Sequence, residues 1–145
     1  DDPYTGWDRG AGPPVPRPCA CGGKFPFASD GNASDVGDLT VSRFTASGQS
    51  SSENGYSSGG ASPGFSNVID KFPFATDANA TDVGDLTTSG KYGSAGQSST
   101  THGYTSGGYN PLNNIIDKFP FFSDANATDV GDLTVARYLV AGQQY

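Results

Sequence analysis

Nine of the fifteen acidic residues fall in three copies of one short loop. Each copy reads Asp-x-Asn-x-Ser/Thr-x-x-x-Asp-Leu, which places oxygen-bearing side chains at relative positions one, three, five and nine. A ring of such oxygens is what a hard cation such as Ca²⁺ prefers. The candidate calcium ligands are therefore Asp30, Asn32, Ser34, Asp38, Asp77, Asn79, Thr81, Asp85, Asp124, Asn126, Thr128 and Asp132.

Two other readings compete for the same loops. Asp and Asn side chains commonly close turns through hydrogen bonds to nearby backbone, and they would recur here simply because the turn recurs. Each loop also contains an Asn-x-Ser/Thr sequon, so Asn32, Asn79 and Asn126 are candidate glycosylation sites. A glycan and a metal ion cannot easily share one asparagine, so these hypotheses exclude each other.

The sequence does not favour an enzyme. His102 is the only histidine, and Asn54 stands at its aligned position in the preceding repeat. Carboxylates for acid and base catalysis need different environments, whereas three equivalent loops offer three similar ones. We therefore expect a protein without catalytic activity.

Aromatic residues in Gly-rich polar segments suggest a different kind of site. Tyr56, Phe65, Tyr104 and Tyr109 could stack on sugar rings, with neighbouring Asn and Ser side chains bonding the hydroxyls. The alternative is that these rings pack between repeats, because aromatic side chains dominate buried contacts. A glycan-binding module is thus the second functional hypothesis.

The loops belong to a larger internal repeat. Lys-Phe-Pro-Phe occurs at Lys24, Lys71 and Lys118, spaced by 47 residues, and each copy leads into Asp-Val-Gly-Asp-Leu-Thr. Short aromatic and β-branched runs separated by Gly, Ser, Asn and Asp predict an all-β fold, with no long helical periodicity. We expect three antiparallel β repeats of about 47 residues, spanning about 22–54, 55–102 and 103–145, together one domain over 22–145.

The order of Gly-Gly, strand with an aromatic residue, turn and closing basic residue resembles the kelch family of β-propeller blades. The resemblance covers residues 22–145. The repeats are also similar to those of uncharacterised repeat proteins of bacteriophage and environmental bacteria. The residues that carry it are Gly59, Gly60, Gly107, Gly108, Phe72, Phe119, Arg43 and Arg137. The loop Asp77, Asn79, Thr81 and Asp85 likewise resembles the calcium loops of integrin-like blades, which implies Ca²⁺ as a ligand.

Three blades cannot close a ring, since propellers contain roughly four to eight. The third repeat also stops where a further strand is expected, and the first lacks its opening segment, so the two ends are complementary fragments of one unit. A second copy of the chain would then cover the open flanks. The alternative fold is a closed β-trefoil or β-prism with threefold pseudosymmetry.

Residues 1–21 form a separate Pro-rich segment that we expect to be an extended arm. Its Tyr4 and Trp7 are candidate docking groups on a neighbouring subunit or on the chain itself. Cys19 and Cys21, at its end, would either pack as small apolar groups or form an intermolecular disulfide. The absence of Met suggests that a leader or propeptide has been removed.

The formal charge of −7 and the absence of Lys/Arg clusters argue against a nucleic-acid partner. No apolar run reaches the ~20 residues that span a bilayer, so we expect no membrane insertion. The leading hypothesis is a non-enzymatic structural protein, extracellular or on a virion surface, that self-assembles into a homo-oligomer or polymer through its incomplete array and its arm. A glycan-binding adhesin is the alternative.

Overall fold

The computed structural model describes residues 19–25, 30–61 and 63–142. These residues form ten strands and no helix, which confirms the all-β prediction, and none of their segments could cross a membrane as a helix. Tyr4 and Trp7 lie outside the described residues. The strands are β1 (Cys19–Lys24), β2 (Ser34–Arg43), β3 (Ser47–Ser50), β4 (Asn54–Ser58), β5 (Val68–Pro73), β6 (Thr81–Asp85), β7 (Ala95–Ser98), β8 (His102–Ser106), β9 (Ile115–Pro120) and β10 (Thr128–Asp132).

The strands build three antiparallel sheets. Two are four-stranded meanders, β3-β4-β5-β6 and β7-β8-β9-β10, and the third is the hairpin β1-β2. Lys24, the last residue of β1, is the repeat equivalent of Lys71 in β5. The hairpin β1-β2 therefore corresponds to the outer half of a complete sheet, such as the pair β5-β6. The first sheet therefore lacks two inner strands in the described chain.

The sheets divide the chain at different positions from the sequence repeats. Each Gly-Gln segment pairs with the Gly-Tyr strand that follows it, as in the antiparallel pairing of Gln49 with Tyr56 and of Gln97 with Tyr104. Each complete sheet thus begins one strand earlier than the repeat drawn from the Gly-Tyr segment. Pro73 and Pro120 end their strands, where the missing N–H donor breaks no ladder.

Successive sheets pack against each other through their inner strands. Ser58 Oγ in β4 lies 2.8 Å from Thr105 Oγ1 in β8, and both side chains are buried. Next to this polar contact, an apolar cluster fills the space between the sheets: Tyr56, Ile69, Leu86, Phe119 and Ala127. Burial of such side chains supplies ~25 cal/mol per Å² and holds the sheets together. The described strands form an open series of sheets and no closed barrel.

Candidate functional site

The acidic loops lie at the junctions between successive sheets. Lys24 Nζ lies 3.1 Å from Asp77 Oδ1, and Lys71 Nζ lies 2.5 Å from Asp124 Oδ1. Each pair joins residues 53 positions apart, one in a unit and the other in the unit after it. The first acidic residue of the loop is therefore a partner for the lysine of the preceding Lys-Phe-Pro-Phe segment.

The loop asparagine makes a second contact with the preceding unit. The backbone N–H of Asp38 donates to Asn79 Oδ1 at 3.1 Å, and that of Asp85 donates to Asn126 Oδ1 at 3.0 Å. In the reverse direction, Ala80 N–H donates to Asp38 O and Ala127 N–H donates to Asp85 O, both at 2.8 Å. Each junction thus has a reciprocal pair of hydrogen bonds between one acidic loop and the strand before it.

A glycine allows this close approach. Gly84 has φ +150°, and a Cβ there would lie 2.6 Å from Ala125 O in the next unit. Gly37 is in the same conformation and would meet Ala78 in the same way. Gly131 also has φ +151°, yet no described residue lies within 4 Å of its Cβ position. Within the described part of the chain, the third unit therefore keeps the geometry of a junction without a neighbour in it.

Each junction also contains a buried ion pair. Arg43 pairs with Asp70, and Lys91 Nζ lies 3.1 Å from Asp117 Oδ2, with all four side chains fully buried. Thr87 Oγ1 donates to the same Asp117 at 2.5 Å. Burial lowers the pKa of Lys91 below its ordinary value, and the charge of Asp117 opposes that shift. The basic residues after the first and second acidic loops are thus each matched to a carboxylate of the next unit.

Within the described residues, side-chain contacts to the protein itself involve six of the twelve candidate calcium ligands: Asp77, Asn79, Thr81, Asp124, Asn126 and Thr128. Thr81 Oγ1 and Thr128 Oγ1 donate to carbonyl oxygens in the adjacent strands, and Ser34 begins β2. Among residues 19–25, 30–61 and 63–142, no group of three or more His, Cys, Asp or Glu side chains is arranged to hold a metal ion. Calcium binding by the three loops, whose candidate ligands run from Asp30 to Asp132, stays a prediction.

The sequon asparagines are all exposed at these junctions. In Asn79 and Asn126 the hydrogen-bonded atom is Oδ1, whereas glycosylation modifies Nδ2. A glycan on either side chain is therefore compatible with its junction bond. Glycosylation of Asn32, Asn79 and Asn126 stays a prediction, and its sites would lie along one edge of the array.

The candidate sugar-stacking residues have different environments. Tyr56 is only 3% exposed and stacks on Phe121 with ring centroids 4.7 Å apart, so its face is already occupied. Tyr104, its counterpart one unit later, is half-buried. Phe65 and Tyr109 are exposed and line a surface cleft of about 390 Å³ together with Tyr92 and Tyr138. The structure thus brings two of the four residues together.

A larger apolar cleft of about 450 Å³ lies between the hairpin β1-β2 and the sheet that follows it. Phe72 and Phe74 line it, and Phe74 is 46% exposed. Their counterparts one unit later, Phe119 and Phe121, are covered by the ring of Tyr56. The cleft therefore marks the place of an aromatic side chain from the inner strand that the first sheet lacks.

The two ends of the array present unmatched halves of one junction. We call Asp30, Asn32 and Ala33 the head face, and Lys118, Gly131 and Asp132 the tail face. All head-face residues are exposed, and neither Asp30 nor Asn32 has a hydrogen-bond or ionic partner in the described chain. On the tail side, Lys118 has no ion pair among the described residues.

The strand β10, which contains Gly131 and Asp132 of the tail face, is exposed to solvent. All five residues of β10 are exposed, whereas the last three residues of the equivalent β6 are half-buried by the next unit. Val135 and Leu139, which follow β10, are 61% and 69% exposed. The third unit thus leaves uncovered a surface that the second unit buries.

Sequence reasoning missed the lysine partners of the acidic loops and the role of the glycine in Asp-Val-Gly-Asp. The available signal was that lysine, loop aspartate and glycine recur with the same period. No protein-family model matches the chain, and no curated protein matches it either. The kelch-like blade assignment therefore stays a prediction.

Proposed function

We propose that this protein is a non-enzymatic structural subunit that self-assembles through the two ends of its repeat array. The single observation that carries the proposal is the pair of unmatched faces. The lysine, aspartate and asparagine at the two internal junctions are bonded across them, and the same groups at the head and tail faces have no such partner among the described residues. A second copy of the chain is the ligand whose chemistry fits both.

The proposed units are propeller-type blades in an open stack. Support comes from the open order of the described sheets and from the first of them, which has two strands among the described residues where the others have four. Exposed apolar side chains and strand edges favour association, and in a stack each copy covers those of the next. The closed trefoil or prism is the competing fold, and it would require the first and last units of one chain to meet.

The N-terminal arm is the second part of the proposal. Tyr4 and Trp7 lie outside the described residues, but the cleft beside Phe72 and Phe74 supports an aromatic insertion there. Trp7 is the only tryptophan, so its fluorescence reports on the arm alone. A blue-shifted emission that moves to the red in Phe72→Ala is expected, whereas a water-like emission in both proteins contradicts arm docking.

The test of the function is the size of the purified protein in solution. Size-exclusion chromatography with light scattering, followed by electron microscopy, should show polymers or oligomers with a 14.9 kDa repeating mass. Deletion of residues 1–21 should weaken assembly if the arm docks on a neighbour. A protein that stays monomeric at high concentration contradicts the proposal.

An extracellular or virion-surface location is part of the same proposal. The composition supports it, since an acidic surface rich in Ser, Thr and Gly carries few reactive groups and favours solubility. Intact mass of the natural material would reveal glycans on the three sequons, which form only along a secretory route.

Glycan binding is a second candidate function because of one specific cleft. Phe65, Tyr92, Tyr109 and Tyr138 form an aromatic surface site of a size that suits a small ligand. A glycan array that detects binding by a stable monomer, with loss of binding in Tyr109→Ala, would favour this function. Assembly of the protein without any glycan binding would contradict this second function and favour the structural role.

A further inference from the structure

We propose that a second copy docks its head face on the tail face of the first and repeats the internal junctions of the chain, contact for contact. This inference rests on the proposed self-assembly and specifies which residues make it. The partner is another molecule of the same chain, and the contact is head to tail.

The periodicity of the internal contacts identifies the partners. Lysine pairs with the aspartate 53 residues later, and the N–H of an acidic residue bonds the asparagine 41 residues later. When the same two spacings are applied to Lys118 and Asp132 and a second copy continues the repeat, the equivalent partners are Asp30 and Asn32 of that copy.

The steric match agrees with the polar one. At both internal junctions the glycine before the acidic residue is half-buried against the backbone of the next unit, whereas Gly131 is exposed and has no described residue beside its Cβ position. The atoms that approach the internal glycines belong to the backbone of Ala78 and Ala125, and residue 31 holds the same position in the first loop. The head loop of a second copy can therefore approach Gly131 through its backbone in the same way.

A separate row of glycines supports the same arrangement at the inner edge. A Cβ on Gly96 would run into Gly48, and a Cβ on Gly142 would run into Gly96, so these three positions succeed one another at close range. No described residue lies within 4 Å of a Cβ placed on Gly48. Head-to-tail docking places Gly142 of one copy directly before Gly48 of the next, which continues the row.

One internal contact is absent from this intermolecular junction. In the first unit, Gly23 holds the position that Asp70 and Asp117 hold in the second and third units. When a second copy docks, Arg137 of the first copy therefore meets no carboxylate at that position. Arg137 is exposed, and its Nε donates to Val135 O at 3.3 Å. The contact between copies thus relies on the exposed ion pair and the asparagine bond, which need little desolvation of charge.

Charge exchange across the junction gives the decisive experiment. Light scattering at low ionic strength would compare the wild type with Lys118→Glu and Asp30→Lys, each of which sets like charges against each other. We expect each variant to associate about tenfold more weakly. An equimolar mixture of the two should recover assembly, because every tail then meets a head of opposite charge.

Asparagine variants provide a matched control. Asn32→Ala removes the acceptor on the head face and should weaken association about tenfold without changing the melting temperature of the monomer. Asn79→Ala removes the equivalent acceptor inside the chain, so it should lower the melting temperature and leave association nearly unchanged.

The outcomes separate this inference from the proposed function. A wild type that polymerises while the head and tail variants assemble equally well, or while the mixture fails to recover, overturns the head-to-tail junction and leaves self-assembly standing. A wild type that never associates overturns the function itself.

Discussion

The interior of this protein contains charged side chains that are fully shielded from solvent, which is uncommon in folded proteins. Arg43, Asp70, Lys91 and Asp117 are fully buried at the two internal junctions. Removing charges from water is unfavourable, and their attraction in the interior offsets that penalty only when the remaining polar atoms are also bonded. Lys91 Nζ meets this condition in part by donating to Ile115 O at 3.1 Å.

Removal of one buried charge should be more harmful than removal of both. Lys91→Met leaves Asp117 buried without a counter-charge, and we expect a loss of about 3–5 kcal/mol in the free energy of unfolding. The double variant Lys91→Met with Asp117→Leu should recover much of that loss. Urea unfolding monitored by circular dichroism measures both, and equal stability of the single and double variants would contradict this account.

At the level of strands and loops, one glycine position decides how closely units approach. The acidic loop of the next unit lies against the strand that contains Gly37 or Gly84, and its backbone fills the space where a side chain would project. A local hydrogen bond from Gly84 N–H to Asp82 Oδ1 at 3.1 Å fixes the bulge that makes this possible. The strand edge and the loop are therefore shaped for each other.

Gly84 and Gly131 allow the strain of the backbone to be separated from the steric clash. Both have nearly the same positive φ, so an alanine is strained at either position, but only Gly84→Ala meets a neighbour within the chain. We expect Gly84→Ala to be less stable than Gly131→Ala by about 1–3 kcal/mol. Unfolding should be measured at low protein concentration in the Asn32→Ala background, which weakens association.

Association gives Gly131→Ala a second effect. Because its new methyl group would stand where a second copy approaches, we expect this variant to be monomeric although it folds. A fully stable Gly131→Ala protein that still polymerises would contradict the proposed tail face.

The array as a whole behaves as a series of nearest-neighbour contacts. Each sheet contacts the sheet before it and the sheet after it, so the stability of the series is a sum of unit and junction contributions. Among the described residues, the first and third units have one such junction each. Association would add a second junction to each of them.

Thermal unfolding should therefore depend on protein concentration. Mass action favours the folded, associated state, so the melting temperature of the wild type should rise with concentration. The charge variants Lys118→Glu and Asp30→Lys should show little such dependence. Scanning calorimetry over a hundredfold concentration range tests this, and a constant melting temperature for the wild type would contradict it.

Much of this fold follows from local sequence pattern. The repeat period, the all-β class and the position of Pro73 at a strand end could be predicted because they depend on turn chemistry and on the proline ring. The acidic loop was recognised as a special feature for the same reason. The sequence left calcium binding, turn capping and glycosylation open for its oxygens, because sequence shows only which atoms are near along the chain.

The partners of those oxygens could not be predicted because they lie in another unit. Asp77 and Lys24, or Asn79 and Asp38, meet only when sheets stack with one particular offset. The burial of Tyr56 likewise depends on the unit that follows. Contacts between repeats are tertiary, and a single sequence without related sequences carries no direct record of them.

The chemical difference between the head and tail faces has a consequence for growth. Because the faces are different surfaces, joined copies all point the same way, and no symmetric pairing satisfies both at once. The result is a filament with distinguishable extremities or, where the rotation per copy happens to close, a ring. A chain with a defective tail would add to one extremity and then halt elongation there, so a small proportion of such chains would set filament length.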